Sequence, residues 1–184
     1  MARIKKARQA LSLSRALLGK SGLRPRKRLG QHFLEDPDII ERIVTHARLD
    51  KDDVAVEIGS GLGALTLPVV SRIRHVVAIE KDPLLITILR ERIPSEYRER
   101  ISFIAGDVLK VDLKQISGEY EQKIKVLGNL PYNISSPVLE KLIRDRGSIK
   151  CAILTFQLEV AQRLIARPGQ REYTALIARP LFLE

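Results

Sequence analysis

From Val54 onward, short runs of β-branched and aliphatic residues alternate with segments of helical period. The strands this predicts are Val54–Ile58, Val76–Glu80, Ile101–Ala105, Ile124–Gly128 and Ile149–Phe156. The helical segments are Leu62–Ser71, Asp82–Ile93, a short helix or loop near Val111–Ile116, Pro137–Arg144 and Leu158–Ala166. Strands that alternate with helices in this way predict an α/β fold with a doubly wound, mostly parallel sheet. Runs such as "VVAI" and "CAILTF" are apolar at consecutive positions, the pattern of strands covered on both faces. Upstream, Asp36-Pro37 reads as the cap and first residue of a helix whose apolar face carries Ile39, Ile40, Ile43, Val44 and Ala47. Residues 1–28 stand apart as an arm with a helical pattern around Ile4–Leu18, ahead of a domain over 29–184. The chain ends in the apolar stretch "EYTALIARPLFLE", so the domain is expected to be incomplete at its C-terminal end.

Charge separates the arm from the domain. The 184 residues carry a net charge of +10. Residues 1–28 hold ten Lys and Arg and no acid, while the rest balances 22 basic against 22 acidic residues. A concentrated basic arm suits a polyanion, because each cation that pairs with a phosphate releases counterions. Arg24, Arg26, Lys27 and Arg28 are the candidate RNA contacts. A solvated tail and a transit peptide are the competing readings of the arm, so the expected location is cytoplasmic with a mitochondrial alternative. No apolar run approaches the roughly 18 residues of a membrane span, and no membrane partner is expected. His32, His46 and His75 show no ligand spacing, so no metal site is expected. Cys151 lies in an apolar run and reads as a buried structural thiol. A monomer is expected.

Three strand ends carry candidate chemistry. Gly59, Gly61 and Gly63 follow the first strand, where glycine lets the backbone turn tightly and approach a ligand closely. Ligands of open α/β sheets bind beyond the carboxyl ends of the strands. Glu80 ends the second strand, placed to accept the two hydroxyls of a ribose. Asp107 follows the third, where it can accept from an adenine amine. Taken alone, the glycines are equally a structural turn, and either acid is a helix N-cap or a solvated loop acid. The loop reads Glu57-Ile58-Gly59-Ser60-Gly61-Leu62-Gly63, not the G-x-G-x-x-G of a dinucleotide site. This form resembles motif I of class I S-adenosylmethionine-dependent methyltransferases. A nicotinamide or flavin enzyme is the alternative for the loop alone.

The fourth strand ends in Asn129-Leu130-Pro131-Tyr132. An adenine amine is a poor nucleophile, since its lone pair is delocalised into the ring. It has to leave the base stack and be held at near-attack distance from a methyl donor. The Asn129 side-chain oxygen and the Leu130 carbonyl can accept from its two hydrogens. Pro131 fixes φ and biases Leu130 to an extended conformation. Tyr132 offers a stacking face worth roughly 1–3 kcal/mol. The bland alternative is an ordinary strand-to-helix turn.

The series "RKRLGQHFLEDPDII", "EIGSGLGALT", "IEKD", "AGDVLKVD", "GNLPYNISSPVL" and "TFQLEVAQRLIA" resembles the ribosomal RNA adenine dimethyltransferase family from about Arg26 to the C-terminus. The resemblance implies a Rossmann-like class I methyltransferase fold, here ending before its last strands and a C-terminal helical domain. It implies S-adenosyl-L-methionine as cofactor and small-subunit ribosomal RNA as partner. Two methyl groups would go to each of two adjacent adenosines near the 3′ end of that RNA. By carry-over, His32 and Leu34 would cover the cofactor, with Gln31 and Phe33 beside them. Gly59, Glu80, Asp107 and Asn129 would meet its amino acid, ribose, adenine and methyl ends. Phe156 would either wall the base pocket or belong to the core. Two alternatives remain open: a large-subunit adenine methyltransferase, and a non-catalytic ribosome-assembly or transcription factor on the same fold.

Overall fold

The structure, a computed structural model, describes residues 33–166. The candidate arm contacts, the Ile4–Leu18 pattern, Gln31, His32 and the last 18 residues lie outside the described residues. Five strands form one parallel sheet: β1 Val54–Ile58, β2 His75–Glu80, β3 Ile101–Ala105, β4 Ile124–Asn129 and β5 Ile149–Thr155. Their order is β3-β2-β1-β4-β5. The connection reverses direction between β1 and β4, so the chain opens a crevice there at the carboxyl ends of the strands.

Helices cover both faces. On one lie α1 (Pro37–His46), α2 (Thr66–Val70) and α3 (Pro83–Arg92), whose Ile40, Ile43, Val44, Val69 and Leu89 meet Ala55, Ala78 and Leu127 of the sheet. On the other lie α4 (Leu113–Glu119) and α5 (Ser135–Arg144), with Leu113, Ile116, Val138 and Leu142 against Val54, Val56, Ile79 and Val126. The last described helix, α6 (Leu158–Ile165), buries Val160. Helix starts follow the sequence. Asp36 accepts from the Asp38 and Ile39 N–H groups with Pro37 in the first turn, and Asp82-Pro83 repeats the device on α3. These bonds satisfy N–H groups that have no partner inside the helix.

Four details depart from expectation. The predicted helix Leu62–Ser71 shortens to Thr66–Val70. Gly61 and Gly63 take φ of +51° and +85°, a hand that a right-handed helix cannot continue. α5 begins at Ser135 instead of Pro137. β4 runs through Asn129, so the amide belongs to the strand and inherits its rigidity. Finally, "CAILTF" is not covered on both faces. β5 ends the sheet among the described residues, Cys151 is only half-buried and Ala152 is exposed.

At the opposite, amino end of the strands, a buried ion cluster ties α1 to the sheet. Lys125 Nζ lies 2.7 Å from Asp53 Oδ2, and donates to the Ala47 and Arg48 carbonyls just beyond α1 at 2.8 and 2.6 Å. Lys150 reaches the other Asp53 oxygen at 2.8 Å. Burial pushes the Asp53 carboxyl up, but the hydrogen bonds from Lys125 and Lys150 outweigh it and leave the group below its ordinary value.

A candidate cofactor and adenine site

The site grows from the carboxyl ends of β1, β2 and β4. After Ile58 the chain folds back on β2, with the Gly59 and Ser60 N–H groups both donating to the Ile79 carbonyl (2.8 and 3.3 Å). Gly59 has φ of +72°, and a Cβ there would point into open space. A ligand can therefore lie directly on the backbone. Gly63 is glycine for two reasons: its φ is +85°, and a Cβ would overlap the Leu89 side chain of α3.

Two carboxylates support this loop from below. Glu80 Oε2 accepts from the Gly61 N–H and Oε1 from the Asp82 N–H, each at 2.9 Å. An ionised carboxylate has about four acceptor sites, so this bracing leaves room for ribose hydroxyls on the same group. Glu57 is almost fully buried and accepts the Thr66 hydroxyl. Burial pushes its carboxyl up to about 8; the Thr66 hydrogen bonds oppose that shift, and the Glu80 charge adds to it. Glu57 is thus neutral at pH 7. The charge behind the loop is then that of Glu80, which suits a cationic ligand and opposes a pyrophosphate.

Asp107 caps the turn Val108–Lys110 through the Leu109 N–H (3.1 Å) and pairs with Lys81 Nζ at 2.9 Å. Lys81 and the Leu109 N–H hold its carboxyl below the ordinary value. The helix-cap reading of Asp107 is therefore correct, and a ligand contact would come in addition to it.

One cleft joins the glycine loop to the fourth strand end. Its lining includes Phe33, Leu34, Glu57, Gly59, Ser60 and Asn129. The Phe33 ring lies 3.6 Å from the place of a Cβ on Gly61, so it closes over the loop beside Leu34. Asn129 Oδ1 accepts from Thr155 Oγ1 at 2.6 Å. Pro131 has φ of −68° and ψ of 153°, and its carbonyl accepts the Ser135 hydroxyl at 3.0 Å. Tyr132 is 53% exposed, available for stacking. Phe156 packs against the core beneath α5, which favours its core reading.

The cleft brings together Leu34, Gly59, Gly61 and Asn129, with Glu80 under the loop. Asp107 sits farther along the strand ends, bound to Lys81. Three contributors went unread in the sequence. Thr155 donates to the Asn129 amide oxygen, Lys81 pairs with Asp107, and the Ser60 hydroxyl is buried with no hydrogen-bond partner among the described residues. The one available signal for Thr155 was a polar residue closing an apolar strand opposite Asn129.

An orphaned buried hydroxyl beside an open glycine surface fits a polar ligand that completes it. With the strand order and the loop, this defines the class I S-adenosylmethionine-dependent methyltransferase fold. Solved structures share it. A dimethyladenosine transferase from Plasmodium falciparum aligns with TM-score 0.70 and 33% identity, over 79% of this chain and 50% of that one. The 23S rRNA methyltransferase ErmE aligns with TM-score 0.62 and 30% identity, over 72% and 50%. A family model described as ribosomal RNA adenine dimethylase matches residues 22–181. Ribosomal RNA small subunit methyltransferase A of Desulforapulum autotrophicum is 48% identical over 161 residues, covering 87% of this chain and 56% of that protein. A probable counterpart from Thermococcus onnurineus is 45% identical over 88% and 55%. The chain belongs to the ribosomal RNA adenine dimethylase family, and it spans a little over half the length of these two curated relatives.

Proposed function

We propose that this chain binds S-adenosyl-L-methionine and transfers methyl groups to the exocyclic amines of two adjacent adenosines near the 3′ end of small-subunit ribosomal RNA. One observation carries the reading: Asn129, the first residue of the Asn129–Tyr132 turn, lines the same cleft as the glycine loop. Gly59 and Gly61 let the cofactor lie on the backbone, and Gly63 lets the loop that binds it turn tightly against Leu89. Glu80 accepts its ribose hydroxyls, Asp107 its adenine amine, and His32 and Leu34 cover it, with Asn129 at the methyl end. When bound, the cofactor supplies an electrophilic methyl on a positively charged sulfur. The chain's own part is positioning and electrostatics. The Asn129 oxygen and the Leu130 carbonyl accept from the amine hydrogens. Pro131 holds the turn, and Tyr132 stacks on the extruded base.

The leaving group is already activated as a sulfonium, so the reading requires no metal. It takes the protein as a cytoplasmic monomer with a basic arm over residues 1–28, where Arg24, Arg26, Lys27 and Arg28 meet RNA phosphates ahead of the methyltransferase domain at 29–184. No helix among the described residues is long and apolar enough to cross a membrane. The small subunit is preferred as substrate because curated relatives at 48% and 45% identity bear that name, against 30% for the large-subunit enzyme ErmE.

The test is radiolabelled methyl transfer to unmethylated small and large ribosomal subunits, with Asn129→Ala alongside. Dimethyladenosine formed on small subunits, and lost in the variant, is expected. Label on large subunits only would overturn the substrate. A folded chain that binds the cofactor but transfers nothing would overturn the activity.

A further inference from the structure

The backbone of the glycine loop spends its donors on its own shape. The Gly59 and Ser60 N–H groups both go to the Ile79 carbonyl, at 2.8 and 3.3 Å, and the Gly63 N–H goes to the Ser60 carbonyl at 2.8 Å. The Gly61 N–H goes to Glu80 Oε2 at 2.9 Å. Those N–H groups are therefore not held open for a ligand, as they are in a loop that cradles phosphate. The Ser60 side chain differs. Ser60 is 3% exposed and lines the cleft beside Gly59 and Gly61. Its hydroxyl is buried with no hydrogen-bond partner among the described residues.

A hydroxyl carries one donor and two acceptor sites. Unmet in the interior, it costs the folded protein stability, because its bonds to water in the unfolded chain are not replaced. Core packing does not explain it, since alanine has the same Cβ and no hydroxyl to satisfy. We propose that Ser60 is a binding residue for the amino-acid end of the cofactor: its hydroxyl bonds the charged ammonium and carboxylate group there, and the free protein is less stable for keeping it. The inference rests on the proposed cofactor reading, which lays the ligand on Gly59 and Gly61. A Cβ on Gly59 would meet open space, so nothing on that residue keeps the tail from the loop. The serine side chain turns among three staggered wells, so the hydroxyl can swing to the ligand while the backbone stays fixed. In so buried a place, a bond to a charged group is stronger than in water.

The test uses the full 184-residue chain and two ligands. S-adenosylhomocysteine carries the amino acid, whereas 5′-methylthioadenosine keeps the adenosine and the sulfur and lacks it. Ser60→Ala is expected to raise the Kd for S-adenosylhomocysteine about ten- to hundredfold, the worth of one hydrogen bond to a charged group. The Kd for 5′-methylthioadenosine should hold. The Tm of the unliganded variant should rise, because the unmet hydroxyl is gone. Affinity lost while stability is gained is a pair of changes that a merely structural serine does not give.

An equal Kd for S-adenosylhomocysteine in wild type and variant overturns the inference and leaves the proposed function standing. An equal loss with both ligands also overturns it, since the hydroxyl would then serve the adenosine part or the shape of the loop. A lower Tm in the unliganded variant would show the hydroxyl already bonded in the free protein, and would overturn it as well. If the wild-type chain binds neither ligand, the cofactor reading itself fails, and the inference fails with it.

Discussion

Replacing Glu57 by Gln is expected to stabilise the protein at neutral and alkaline pH, although it removes a carboxylate beneath the proposed cofactor loop. Glu57 is 3% exposed, and burial raises its carboxyl from an ordinary 4.5 to about 8. Between those values the folded protein keeps a proton that the unfolded chain has released. Stability therefore falls as pH rises through this window, with a slope approaching about 1.4 kcal/mol per pH unit. From pH 5 to pH 7 the loss is roughly 2–3 kcal/mol, an upper figure because a buried site relaxes on ionising. Gln keeps an acceptor for the Thr66 hydroxyl and has no proton to lose. His75, lowered chiefly by burial, adds stability as pH rises toward 6.5 and so opposes the trend. Its contribution is common to both proteins and cancels in the difference. Asp53 and Asp107, both lowered, lose their contribution only in acid, below the ordinary carboxylate range. The assay is urea unfolding of wild type and Glu57→Gln at half-unit steps from pH 5 to pH 8.5. A stability difference that stays constant across the series would refute the reasoning, since it would mean that Glu57 titrates alike in the folded and unfolded chain.

Three further outcomes test the ion cluster, the loop and the clamp. Lys125→Met should cost up to about 3–5 kcal/mol in urea unfolding, because it leaves the buried Asp53 with the half-exposed Lys150 as its remaining lysine partner, whereas Lys150→Met, whose side chain is 54% exposed, should cost far less. Gly63→Ala should lower stability by more than about 1 kcal/mol, from the positive φ and the overlap with Leu89 together, and equal stability would show that the loop can shift to accommodate the methyl. Tyr132→Ala should weaken methyl transfer by an amount matching the roughly 1–3 kcal/mol of base stacking, while Tyr132→Phe should keep most of the rate; an equal loss in both would point to the hydroxyl instead of the ring face.

The alternation of strand and helix, the Asp-Pro helix starts, the glycine loop and the Asn129–Tyr132 turn were legible along the chain, because each depends on local backbone preference or on a period that repeats within a few residues. The late start of α2 was not legible, because it depends on the positive φ of Gly61 and Gly63, which no residue pattern specifies.

 Which oxygen or ammonium meets which carbonyl was not legible, because those partners lie far apart in sequence. Lys125 finds Asp53 and the carbonyls of Ala47 and Arg48 only after β4 is set beside β1 and α1 is laid across them. Thr155 finds Asn129 only through the register of β5 on β4. By itself, then, the sequence determined the order of elements and the residue types gathered at the strand ends, since these follow from short-range sterics and hydrophobic period. The tertiary structure decided the exposure of Cys151, the neutrality of Glu57 and the orientation of the Asn129 amide, since burial, field and hydrogen-bond direction belong to the packed molecule and to no single stretch of chain.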